Sequence, residues 1–149
     1  MSLTIQLPAE YGYVFGAATA MFFVNVYHSI MTGYYRKAAK IDYPNCYASA
    51  EQAAKDPAAY QFNCAQRAHA NFIENLPTVL TTMVISGIKF PVLSGSLGAG
   101  WAIARILYVR GYILRGPKGR YEGAANSLFA IILSGLSSYT AYTFIKSLW

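Results

Sequence analysis

Four stretches dominated by apolar residues run along the chain, at roughly Tyr11 to Gly33, Phe72 to Ile88, Val92 to Leu114 and Ala124 to Leu148. A hydrocarbon layer about 30 Å thick takes roughly 20 helical residues. Each stretch therefore suffices for one crossing, the second with help from the polar residues at its head. The pattern predicts an all-α fold: one integral-membrane four-helix bundle occupying residues 1–149. The connections around Lys89 to Pro91 and Arg115 to Gly123 are short, so neighbouring helices are expected to pack antiparallel. The first connection, about Lys37 to Asn63, is longer and polar and holds Asp42, Pro44, Glu51, Lys55, Asp56 and Pro57. It predicts a structured loop or short-helix cap.

Composition supports a lipid environment: 55% of the residues are hydrophobic, only 12% are charged, and the mean hydropathy is +0.29, unusual values for a soluble fold. The first basic residue is Arg36, so the N-terminal apolar stretch lacks the basic lead of a secretory signal and is expected to be retained. With four crossings, Arg36, Lys37 and Lys40 fall at the same end as Arg115, Lys118 and Arg120. Basic loops stay cytoplasmic, which predicts cytosolic first and third loops. The net charge of +6 comes from residues near helix ends, without a long basic run, so no nucleic-acid partner is expected. Cys46 and Cys64 read as structural thiols. Together with the well-separated His28 and His69 they offer no convincing metal-ligand spacing.

Small residues recur four apart at Gly12 with Gly16, Ser94 with Gly98, and Ser96 with Gly100. Such pairs let membrane helices approach closely, within a chain or between copies. Pro77 removes a backbone donor inside the second span and predicts a kink.

The candidate chemistry begins with Arg67, Asn71 and Glu74, at i, i+4 and i+7, on one helix face over roughly 10 Å. A charge at membrane depth is costly and marks a functional site or a paired structural one. Arg offers a planar fork to a carboxylate, Asn both donates and accepts, and Glu accepts from an ammonium group. The implied ligand carries a carboxylate and an amine. The alternative is a structural Arg67–Glu74 pair with Asn71 bridging helices. Arg105, Tyr108, Tyr112 and Arg115 form a second polar stripe, whereas Tyr34, Tyr35, Tyr43 and Tyr121 read as interfacial aromatics. Arg120 either orients the last span or favours the thiolate of a bound thiol. His69 lies two residues from both Arg67 and Asn71, so it faces away from their stripe.

The segment QRAHANFIENLP from Gln66 to Pro77, together with ARILYVRGY from Ala104 to Tyr112, resembles the membrane-associated eicosanoid and glutathione metabolism family. EYG at Glu10 to Gly12, FNC at Phe62 to Cys64 and RGYILRGPKGR through Arg120 extend the likeness over nearly the whole chain, which is most similar to the type 3 microsomal glutathione S-transferases. The resemblance implies a homotrimer in the endoplasmic-reticulum membrane, with glutathione sites between subunits facing the cytosol. It implies that Arg67, Asn71 and Glu74 hold glutathione and that Tyr108 and Tyr112 line the site. Arg36 would reach it from the adjoining subunit. His69 stands where some relatives carry a ligand-contacting glutamine, Asn75 replaces a tyrosine of leukotriene-forming members, and Arg105 shares the Tyr108 face. Arg120 matches the arginine that stabilises the glutathione thiolate. The expected activity is conjugation of glutathione to lipophilic electrophiles, or reduction of lipid hydroperoxides. A non-catalytic lipid-binding scaffold and a small transporter are the alternatives.

Overall fold

The computed structural model describes residues 6–148. Four long helices carry the fold: α1 (Gly12–Ala38), α3 (Pro57–Gly87), α4 (Pro91–Arg115) and α5 (Ala125–Lys146), with the six-residue α2 (Ala50–Lys55) between the first two. At about 1.5 Å per residue, the long helices, of 27, 31, 25 and 22 residues, extend far enough to cross a bilayer. Ala9–Ala38 and Pro91–Lys146 are also apolar enough to do so, the latter holding both α4 and α5. Helix α3 does not reach that apolar standard.

The polar first connection is shorter than its composition predicted. Ser49 Oγ caps α2 by accepting from the Gln52 amide at 3.1 Å, and Asp56 Oδ1 caps α3 by accepting from the Ala58 amide at 2.9 Å. Pro57 follows at the start of α3, where its missing N–H costs nothing. Helix α3 therefore starts well before Phe72, where the apolar stretch begins. These capping residues supply a start signal that hydropathy does not carry. The helix also continues across Pro77 to Gly87.

Helices α3 and α4 form the central pair, and α1 and α5 each pack on both. Val14, Met21, Phe72, Met83, Trp101 and Leu133 anchor the shared core. The small residues of α4 close this core from within. A Cβ at Gly98 would lie 3.2 Å from Ala17 and 3.3 Å from Met21, one at Gly95 would lie 2.7 Å from the Tyr13 backbone, and one at Gly100 would lie 3.1 Å from the Phe129 ring. The Ser86 and Ser94 hydroxyls bond at 2.8 Å. The repeat at 94, 98 and 100 thus serves packing inside the chain, whereas Gly12 and Gly16 face open space. Phe15, Phe23, Ile30, Ile103, Ile131 and Ile145 are exposed on the outside of the bundle.

The antiparallel arrangement brings both basic connections to one end. The Tyr60 hydroxyl, near the start of α3, fills the space where a Cβ at Gly116 beyond α4 would lie, 2.6 Å from that position. At the other end Phe90 lies 6.0 Å from Tyr139.

Candidate functional site

The site is built on the connection after α4. Gly116, at φ +65, turns the chain back into a 3-10 segment, Gly116–Gly123, that lies along α4. Close backbone approach requires glycine at 111, 119 and 123. A side chain at Gly119 would collide with the Gly111 carbonyl, and one at Gly123 would meet the Ala104 carbonyl and approach Tyr108 Cβ to 2.6 Å. An ion pair between Arg115 Nη2 and Glu122 Oε1 at 2.9 Å and a hydrogen bond from Asn126 Nδ2 to the Gly123 carbonyl hold the segment at its ends. Gly119→Ala is expected to lift it from α4. Trypsin should then cleave faster after Lys118 and Arg120, as expected of a segment that opens more often, while circular dichroism shows the bundle intact.

This clamp places Arg120 and Tyr121 at a groove of about 270 Å³. Helix α3 contributes Asn71 and Asn75, α4 contributes Tyr108, and α5 contributes Asn126 and Ser127. Arg120 Nη2 donates to the Tyr121 hydroxyl at 3.2 Å. That guanidinium holds the phenol below the usual tyrosine range, because it stabilises the phenolate. The groove is polar, is reached from outside, and carries a cation free of any carboxylate partner among the described residues.

The Arg67, Asn71 and Glu74 face forms as expected, but its members have separate partners. Arg67 Nη1 meets Glu74 Oε1 at 2.8 Å, with the two side chains 48% and 53% exposed. Asn71 Oδ1 instead accepts from Arg105 Nη1 at 2.9 Å. This is the structural pairing that the sequence left open, with Asn71 joining α3 to α4. Arg105 departs from the polar stripe proposed for α4. Only 1% exposed, it bonds the Ala68 carbonyl at 3.4 Å and sits 4.3 Å from the Tyr108 ring centroid. It supports the groove from behind, while Arg115 faces solvent. Tyr112 stacks on Tyr108 at 5.8 Å as a backing residue.

Two proposed ligand contacts lie elsewhere in the single chain. Arg36 Nη1 donates to the Asn45 carbonyl at 2.7 Å, and its guanidinium lies between the rings of Tyr43 and Phe62, 4.3 and 4.6 Å away. It fastens the first connection. The His69 ring is 6.0 Å from that of His28 on α1, away from the Arg67 stripe. Both cysteines are free, Cys46 exposed and Cys64 buried. Among the described residues no cluster of His, Cys, Asp or Glu could hold a metal ion.

Tyr121, Asn126 and Ser127 line the groove without having been singled out as ligand contacts. Tyr121 reads as an interfacial aromatic in the sequence, and it is exposed; only the reversal of the chain at Gly116 brings it to the rim of the groove. Asn126 stood at the polar edge of an apolar stretch, a weak signal.

Residues 14–139 match the MAPEG family. The match takes in α3 and α4, the groove, and most of α1 and α5. The chain belongs to the MAPEG family, whose members include glutathione transferases and peroxidases alongside non-catalytic proteins.

Proposed function

We propose that this protein is an integral-membrane glutathione transferase, with glutathione peroxidase activity, of the type 3 microsomal kind. The observation that carries the reading is the Arg120 guanidinium, without a carboxylate partner among the described residues, at the groove shared by Asn71 and Tyr108. Glutathione offers two carboxylates, an amine and a thiol. Arg120 would favour the thiolate; each pKa unit it lowers corresponds to about 1.4 kcal/mol of differential stabilisation. Arg67 and Glu74 would take a carboxylate and the γ-glutamyl amine. An exposed ion pair is worth only about 0–1 kcal/mol, so the Arg67–Glu74 contact yields readily to a ligand carrying the complementary charges.

The apolar outer surface and four long helices support a bundle crossing the membrane four times. The cations at positions 36, 37, 40, 115, 118 and 120 favour placing the groove end in the cytosol, consistent with an endoplasmic-reticulum enzyme. Arg67 and Glu74, charged and open on the bundle surface, suit an interface between copies. In the homotrimer Arg36 and His69 would approach the ligand from adjoining chains. Glutathione enters from the cytosol and the lipophilic electrophile or lipid hydroperoxide from the bilayer. Holding both reactants at one groove adds proximity, which can lower the barrier by several kcal/mol.

The closed Arg67–Glu74 pair favours a second reading, a non-catalytic lipid-binding scaffold. The deciding measurement is glutathione consumption by detergent-purified protein with chlorodinitrobenzene and with linoleic acid hydroperoxide. Consumption with either substrate supports the enzyme. Glutathione binding without consumption of either favours the scaffold.

A further inference from the structure

Reduction of a hydroperoxide places a demand on the site that aryl-halide conjugation does not. When a thiolate attacks the distal peroxide oxygen, the O–O bond breaks and the departing alkoxide needs a proton. A halide leaves without one. The groove holds two phenols. Tyr108 lies over the buried Arg105 guanidinium and stacks on Tyr112, whereas the Tyr121 hydroxyl is on the exposed side and accepts from Arg120. We propose that Tyr121 is the general acid of the hydroperoxide reaction, a catalytic residue delivering its phenolic proton to the leaving oxygen next to the Arg120-bound thiolate. The inference rests on the glutathione-dependent activity proposed above.

Three observations support the assignment. Tyr121 and Arg120 line the same groove and bond to each other, so a thiolate at the guanidinium comes within reach of the phenol. The backbone beneath them is fixed by the Gly119 and Gly123 contacts with α4 and by the Arg115–Glu122 pair, which limits the positions the phenol can sample. Arg120 also makes the phenol more acidic than an ordinary tyrosine, which suits a proton donor. The other groups around the groove leave this role open. Helices α3 and α5 present Asn71, Asn75, Asn126 and Ser127, which do not titrate in the working range. On α4 Tyr108 lines the groove with Arg105 and Tyr112 behind it, and on the 3-10 segment Glu122 is engaged by Arg115.

The step balances as follows. The glutathione thiolate bonds to the distal oxygen while the O–O pair leaves with the alkoxide; sulfur is oxidised by two electrons to a sulfenic acid and the peroxide is reduced. Tyr121 protonates the alkoxide to the alcohol and regains a proton from water. A second glutathione condenses with the sulfenic acid, giving the disulfide and water.

The test uses the full-length protein in detergent with glutathione, comparing linoleic acid hydroperoxide with chlorodinitrobenzene. Tyr121→Phe is expected to lower kcat for the hydroperoxide on the order of 100-fold, and its ratio to aryl-halide kcat at least tenfold. The wild-type hydroperoxide profile should fall on its alkaline side as the phenol ionises, and this limb should vanish in Tyr121→Phe. Tyr121→His, titrating near pH 6.5 when unperturbed, should instead move the limb to lower pH. Equal losses on both substrates with an unaltered profile would make Tyr121 a support for Arg120 and overturn the proposal. Wild-type protein that conjugates but reduces no hydroperoxide overturns the Tyr121 role alone. Wild-type protein that consumes glutathione with neither substrate overturns it together with the enzymatic reading.

Discussion

Arg120→Ala is expected to cut turnover with an aryl halide about 100-fold, the usual scale for removing one preorganised charge stabiliser, while glutathione affinity changes only a few-fold. The asymmetry follows from placement. Arg120 is exposed at the groove with the Tyr121 hydroxyl as its hydrogen-bond partner, so its charge is available to a thiolate. Under the proposed function, binding of the tripeptide would draw on Arg67, Asn71 and Glu74 as well. The thiolate absorbance that develops on mixing with glutathione should weaken in parallel with kcat, and equilibrium dialysis should show most of the affinity retained. Arg115→Ala supplies the comparison: that arginine also belongs to the basic end, but it is spent on Glu122 at 2.9 Å, so a few-fold loss is expected. Full turnover and an unchanged thiolate signal in Arg120→Ala would remove Arg120 from the chemistry.

The second large effect concerns stability and runs against charge-counting. Asn71→Leu is expected to destabilise the bundle by about 3 kcal/mol or more, the scale for stripping a partner from a buried charge. Arg105→Met should cost considerably less. Arg105 is 1% exposed, and no carboxylate pairs with it among the described residues. Asn71 Oδ1 and the Ala68 carbonyl are its hydrogen-bond acceptors. Taking away the neutral amide leaves a guanidinium with one long hydrogen bond in an apolar interior. Taking away the cation leaves an amide oxygen, a smaller desolvation penalty. Thermal unfolding in detergent should rank the variants in that order; the reverse order would mean that Arg105 is solvated by a route other than α3.

The four long helices were legible because each carries a long apolar run, that of α3 reaching spanning length only with its polar head, and their antiparallel order followed from short connections. The start of α3 was not, because residues 57–63, which fell within the polar first connection, are helical by capping and continuity, not by hydropathy. Arg67, Asn71 and Glu74 were legible as one face since their spacing fixes it. Their partners were less so: the intrachain pair and the α3–α4 bridge were open alternatives, and the identity of the bridging cation depended on the orientation of Arg105. Arg105 and Arg115 are both arginines of α4, yet one is enclosed by three helices and the other lies at the end where the chain turns. The groove itself was hidden. It exists because glycines at 111, 119 and 123 permit a backbone contact that no side-chain pattern announces.

Ribosomal synthesis delivers α3 ahead of α4, so the acceptors at Ala68 and Asn71 precede the cation they will hold. An arginine near the centre of a lone apolar segment resists integration by about 2.5–3.5 kcal/mol on translocon scales, and α4 carries that handicap at Arg105. Docking on α3 relieves it. Biogenesis should therefore favour lateral release of these two segments as a preassembled hairpin, making the second long helix an intramolecular escort for the third.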